Sequence, residues 1–233
     1  MTDTEAIIAE LSALGGEEKA RHLARFFKTG KGQYGEGDRF LGLPVPLTRS
    51  VARRHKDASL AAVEALLQSE WHEARLCALL IMAEKMKRAT AEEAGLIYKT
   101  YLANTGRINN WDLVDLSAPH VVGKYLADKP RVILYELAAS PLLWDNRIAI
   151  VSTFAFIKAK DLDDTFRLAL LLMNHTHDLM HKAVGWMLRE AGKRDMARLR
   201  AFVYGHVHQM PRTMLRYAIE KFPEDERRAV LRM

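Results

Sequence analysis

The chain is poor in cysteine, poor in strand-like alternation, and without long apolar runs. Its one cysteine, Cys77, cannot form an internal disulfide or a cysteine-based zinc site, so a reducing compartment is the natural setting. A membrane-spanning helix needs about 18 uninterrupted apolar residues, and no stretch reaches that length. The first residues, MTDTEAIIAELSALGGEEKA, carry acids early and lack the basic-then-apolar pattern of a secretory signal. An intracellular, cytoplasmic protein is expected. The basic excess is small: 35 Lys and Arg stand against 29 Asp and Glu, a net charge of +6. Such a balance permits a polyanionic partner without requiring one. Its placement has to decide.

What the chain does have is helical periodicity. Apolar residues recur at three- and four-residue spacing almost throughout. Thr2 with Glu5 makes a capping box for the first helix, and Gly15-Gly16 closes it. Further helices are expected over residues 17–28, 47–56, 59–69, 71–88, 91–103, 109–127, 131–139, 142–159, 163–173, 178–191, 195–207, 211–221 and 224–231, with short breaks. The fold class is all-α, read as a single helical-repeat domain over residues 1–233. One segment differs. TGKGQYGEGDRFLGLPVP, residues 29–46, holds five of the 13 glycines and two of the seven prolines. It lacks the Gly-Lys-Ser/Thr ending of a Walker A loop and no strand precedes it. A structural or lid loop and a phosphate cradle both remain open for it.

A faint repeat links HEARLCALLIMA, NRIAIVSTFAF, HKAVGWMLREAG and PRTMLRYAIEKF, each a basic residue followed by an apolar helix. The register places Arg75, Trp111, Arg147, Lys182 and Arg212 at one repeat position, in steps of 36, 36, 35 and 30 residues. Stacked helical pairs turn equivalent positions to one side, which predicts a concave basic face. One turn further along lie Leu79, Asp115, Val151, Trp186 and Arg216. Cations for phosphates and flat rings for sugars or bases are what a nucleic-acid groove requires. Further basic groups, Arg49/Arg53/Arg54/Lys56 and Arg189/Lys193/Arg194/Arg198/Arg200, extend it, while acids bunch at Glu36/Asp38, Asp161/Asp163/Asp164 and Glu224/Asp225/Glu226.

Asp115 is the one carboxylate in the register. Trp111 and Asp115 stand at i and i+4, so ring and carboxylate face one way, whereas Asp112 suits the helix dipole. A carboxylate among phosphate-binding cations has one useful task there, stabilising positive charge on a sugar as a glycosidic bond breaks. Pairing with Arg147 to organise the wall is the other reading, and spacing leaves both open.

The ordered motifs WDLVD, WDNRIAI and HKAVGWMLRE resemble those of the AlkD-type DNA alkylation-repair glycosylases, over about residues 20–230. The resemblance implies a HEAT-like helical-repeat solenoid that excises alkylated purines such as 3-methyladenine and 7-methylguanine. It implies that Asp115 stabilises the sugar cation and positions water, that Trp111 and Trp186 flank the lesion nucleotide, and that Arg147 holds the backbone beside it. Lys182, Arg212 and Arg216 complete the phosphate contacts. The expected partner is double-stranded DNA with alkylated bases, bound by a monomer without cofactor or membrane. The insert GKGQYGEGDRF is longer than in the family's best-known form, and the second-helix aromatic falls on Phe26 or Phe27. Some relatives lack the aspartate and bind DNA without excision. A non-catalytic binder of damaged or branched DNA and a protein scaffold are therefore the alternatives. A metal enzyme using His175/His177 and His206/His208 is weakened by i, i+2 spacing, which points the pair apart on a helix. Cys77 reads as a buried structural thiol.

Overall fold

A computed structural model describes residues 2–233. Its described residues are helical, with no strand; one isolated bridge joins Arg39 to Trp71. None of their helices is long and apolar enough to cross a membrane. The helices gather into two compact units, Met1–Tyr125 and Leu126–Met233.

In the first unit α1 (Asp3–Leu14), α2 (Glu17–Phe26), α3 (Val45–Arg54), α4 (Leu60–Leu67), α5 (His72–Met86), α6 (Ala91–Ala103) and α7 (Trp111–Asp115) follow in order. The expected capping box forms: the Thr2 hydroxyl accepts from the Glu5 amide and Glu5 accepts from the Thr2 amide. Thr90 and Glu93 repeat the device at α6. The hub is α5, buried along nearly its whole length, against which α3, α4, α6 and α7 pack. That α5 buries His72, Glu73 and Arg75 as well as its apolar residues is its unusual property.

The second unit contains α8 (Val132–Ala138), α9 (Leu143–Ser152), α10 (Phe154–Lys158), α11 (Asp163–Leu171), α12 (Asp178–Gly192), α13 (Met196–His206), α14 (Arg212–Ala218) and α15 (Glu224–Val230). Here α12 is the hub, packed by α9, α10, α11, α13 and α14. Gly185 sets its distance from α14. A Cβ there would lie 2.5 Å from the Met214 carbonyl oxygen and 2.6 Å from Tyr217 Cβ.

Two expected helices are broken. Residues 109–127 do not form one helix, because Pro119 has no N–H to return to the Asp115 carbonyl. Helix α7 therefore ends at Asp115, and a π-helical turn, Pro119–Gly123, follows with Gly123 bonded back to Ala118. Residues 142–159 divide at Thr153, where the Ser152 and Thr153 hydroxyls bond back to the Ile148 and Ile150 carbonyls, each at 2.7 Å. Hydroxyls bonded back in this way bend helices.

Gly185→Ala is expected to force α12 from α14 and to cost about 1–3 kcal/mol, the usual range for overpacking. Gly106 has open space around its missing Cβ, so Gly106→Ala should stay within about 0.5 kcal/mol of wild type. Urea denaturation measures both. Equal stability of the two variants would contradict the packing account.

Candidate functional site

The first unit holds a buried ionic knot. His72, only 1% exposed, sits between two carboxylates: Nδ1 lies 3.0 Å from Asp38 Oδ2, and Nε2 lies 2.9 Å from Asp112 Oδ2. A carboxylate oxygen faces each ring nitrogen, an arrangement that a ring donating from both nitrogens, an imidazolium, satisfies. Burial pushes its pKa down, but the charges and hydrogen bonds of Asp112 and Asp38 outweigh that and raise it to about 9. Burial also opposes ionisation of Asp38, yet His72, Arg75 and Asn110 hold its carboxyl below the usual value. Arg75 Nη2 donates to Asp38 Oδ1 at 2.5 Å and Asn110 Nδ2 donates to Oδ2 at 3.2 Å.

This knot fastens the glycine-rich segment to α5 and α7. Glu73, the next residue on α5, accepts from the amides of Leu41, Gly42 and Leu43 at 2.9, 2.8 and 3.1 Å. Gly42 adopts φ +92, and a Cβ there would lie 2.2 Å from the Gly16 carbonyl oxygen. Only glycine fits. The segment then delivers Phe40 into an aromatic stack: Phe40 lies on His72 at 4.6 Å between centroids, Phe27 on Phe40 at 5.1 Å, and Trp111 on Phe27 at 5.2 Å. An imidazolium beneath phenyl rings adds a cation–π attraction.

Asn110 caps α7 by accepting from the Trp111 amide at 2.9 Å, and Asp112 Oδ1 accepts from the Leu113 amide at 2.9 Å. Asp112 thus serves the helix terminus as expected, and holds His72 as well. With Asp112, Leu113 and Val114 buried, Trp111 and Asp115 share the half-buried face of this short helix. Both line a cavity of about 340 Å³ whose other walls are largely apolar and aromatic, Phe26 and Phe27 among them. Phe27 is buried in the stack, while Phe26 is 56% exposed at 6.0 Å from Trp111.

The second unit collects the other expected residues on α9, α12 and α14. Arg147 is buried and donates through Nη1 to the Leu179 carbonyl at 2.6 Å, tying α9 to the start of α12. Its neighbour Asn146 donates to the Leu137, Ala138 and Ser140 carbonyls. Lys182 pairs with Asp178 at 2.8 Å, and one turn on Trp186 lies 5.9 Å from Phe154. Arg212 and Arg216 are exposed one turn apart on α14, with Arg212 Nη2 on the Leu231 carbonyl at 2.8 Å.

Several expectations need correction. Arg75 does not line an open wall; it is buried on Asp38 and the Ser69 carbonyl because those acceptors lie within its reach. Arg147 is likewise buried. Nor do acids and cations segregate once folded. Arg198 pairs with Asp163, Arg200 with Glu226, Arg189 with Glu220, Arg131 with Asp161 and Asp164, and Arg54 with Glu10. Asp38 and His72, which carry the knot, were not among the expected site residues; His72 opens the repeat segment HEARLCALLIMA and Asp38 sits in the glycine-rich segment, but their partners lie over 30 residues away. The histidine pairs make backbone contacts: His175 Nδ1 accepts from the His177 amide, His177 caps α12, and His206 donates to the Phe202 carbonyl. Burial pushes the Cys77 thiol up to about 12, which leaves it inert at neutral pH.

Comparison with known proteins agrees with this arrangement of helices. The model of a family described as DNA alkylation repair enzyme matches residues 7–222. Among solved structures, the chain is similar to one described as a predicted DNA alkylation repair enzyme from Enterococcus faecalis. The identity is 17% and the TM-score 0.69, over 90% of this chain and 97% of that one. At that identity the likeness concerns the fold, an all-α helical repeat of the HEAT-like kind. No curated protein matches the chain.

The knot makes stability depend on pH in two directions. His72 has a folded pKa of about 9 against 6.5 unfolded, so its contribution is complete below pH 6.5 and lost as pH rises through 9. The loss amounts to about 3 kcal/mol, since each tenfold change in proton affinity is worth about 1.36 kcal/mol. Asp38, with its pKa lowered from 3.8, contributes above that value and loses its contribution as pH falls below it. Urea denaturation from pH 5 to 10 should show the alkaline decline in wild type and its disappearance in His72→Gln. A wild-type profile flat between pH 6.5 and 9 would refute the charged state of His72.

Proposed function

The chain belongs to the DNA alkylation repair enzyme family, and from that premise we propose that it is a DNA glycosylase for cationic alkylated purines in duplex DNA. Substrates of this class are 3-methyladenine and 7-methylguanine. The observation that carries the reading is the pairing of Trp111 with Asp115 on one face of α7, both lining one cavity.

Alkylation at N3 or N7 leaves the purine positively charged. When the bond from C1′ to N9 breaks, the base keeps the electron pair and departs neutral, so no general acid is needed. The positive charge passes to the sugar. Three carboxylates line the cavity: Glu73 holds the loop amides, Asp112 holds His72, and Asp115 is half-buried beside Trp111. Asp115 suits that transition state, since a fixed anion in a water-poor site acts far more strongly than one in water. Asp115 stabilises the oxocarbenium, orients a water toward C1′ and takes up its proton as the C1′–O bond forms. Trp111, beside Asp115 on α7, contacts the lesion nucleotide. In the second unit Trp186, Lys182, Arg212 and Arg216 face the DNA, the cations by phosphate charge, while the buried Arg147 holds α9 to the start of α12 through the Leu179 carbonyl. In this reading the protein works as an intracellular, cytoplasmic monomer and needs no cofactor.

Asp115→Asn keeps the shape and removes the charge. Release of 7-methylguanine from methylated duplex should fall about 100-fold or more, the scale on which single electrostatic stabilisers act, while duplex affinity stays near wild type. Equal release by both proteins would eliminate the role of Asp115. Tight binding with no release by wild type would instead favour a non-catalytic binder.

A further inference from the structure

The glycine-rich loop that follows α2 is more ordered than its composition requires. A chain segment with four glycines between residues 30 and 37 gains nothing from rigidity unless a fixed geometry is used. Here Gly30 donates to Gln33 Oε1 at 3.0 Å and Gly32 to Glu36 Oε2 at 2.7 Å. The Gly35 amide returns to the Lys28 carbonyl, and a Cβ on Gly35 would lie 2.4 Å from the Phe27 carbonyl oxygen. At its far end Asp38 is locked into the His72 knot. The loop's own side chains therefore occupy the amides of Gly30 and Gly32, which argues against a backbone phosphate cradle. What the loop presents outward is charge.

Lys28 stands at φ +52, in the left-handed region. Glycine would adopt that conformation without cost, whereas an L side chain is strained there by roughly 1–2 kcal/mol. A strained residue held by its surroundings points to a use for its side chain. Lys28 is exposed, and so are Arg25 in the last turn of α2 and Lys31 in the loop. None of the three forms an ion pair among the described residues, unlike Arg39 on Glu70, Arg54 on Glu10 or Arg88 on Asp57. The exposed Glu36 is the one carboxylate on the loop's outer part. Between Arg25 and Lys28 stands Phe26, the exposed ring at the mouth of the Asp115 cavity.

We infer that this loop is a preformed contact for the duplex, in which Arg25, Lys28 and Lys31 take phosphodiester groups of the strand that passes Phe26. The inference rests on the proposed glycosylase reading in taking DNA as the occupant. It differs from that reading in needing no lesion and no chemistry. Three unpaired cations against one carboxylate fit a phosphate backbone, and a rigid loop loses little entropy on binding it.

Salt titrations of binding to an undamaged duplex, followed by fluorescence anisotropy, test it. Each phosphate that a cation no longer neutralises should make the slope of log K against log salt shallower by about 0.9. Lys28→Gly combined with Lys31→Ala should thus take about 1.8 from the slope, while Lys28→Gly alone keeps or raises the melting temperature because it relieves the left-handed strain. Lys99→Ala, which removes an exposed charge from α6, should leave the slope unchanged. A double variant with the wild-type slope overturns the inference, as does a wild type that does not bind duplex. Unchanged slopes with normal 7-methylguanine release would sink this inference and spare the glycosylase. Shallower slopes with no release by wild type would do the reverse.

Discussion

A protonated histidine buried between two carboxylates organises the first half of this molecule. His72 lies on α5, Asp38 at the end of the glycine-rich loop and Asp112 on α7, so one ring joins three separate segments. Burying charge is costly, and only a fully partnered arrangement offsets the cost. Here the charges are paired: Arg75 and Asn110 complete the shell of Asp38, and the Leu113 amide completes that of Asp112, although Arg75 Nε has no hydrogen-bond partner among the described residues. Removing one member leaves another charge buried and uncompensated, which is why the knot behaves as a unit. The aromatic stack of Phe40, Phe27 and Trp111 rises directly from that ring.

The knot divides labour among neighbouring acids. Asp38 and Asp112 are enclosed and spend their oxygens on holding the scaffold. Asp115, one turn from Trp111, is half-buried and lines the cavity. Its place follows from a local stop: Pro119 ends the short helix there, and Asn110 begins it five residues earlier. A helix of this length has little intrinsic stability. It is held by its cap and by Asp112 on His72, so the position of the proposed catalytic carboxylate depends on charges outside its own helix.

The helices were legible in the sequence because apolar spacing and caps are local signals, as Thr2 with Glu5 illustrates. The shared face of Trp111 and Asp115 was legible for the same reason. Long-range ionic pairing was not. Nothing near Asp38 announces that it is buried, since its partners lie more than 30 residues away in sequence. Arg75 occupies the same repeat position as Lys182, yet one is enclosed by carboxylate and carbonyl while the other is partly exposed. A repeat register predicts direction along a helix. It does not predict whether an acceptor waits there. The helix breaks at Pro119 and Thr153 were visible as residue types, but the apolar pattern runs through both and masks them.

The protonation state of His72 bears most directly on this account. In a nitrogen-15 NMR spectrum of the imidazoles, assigned by comparison with His72→Gln, both ring nitrogens of His72 should carry protons at pH 7.5. The signals should titrate only near pH 9, in line with the raised pKa. A neutral ring with a single N–H at pH 7.5 would contradict the account, because one of the two carboxylates would then have lost the donor that holds it.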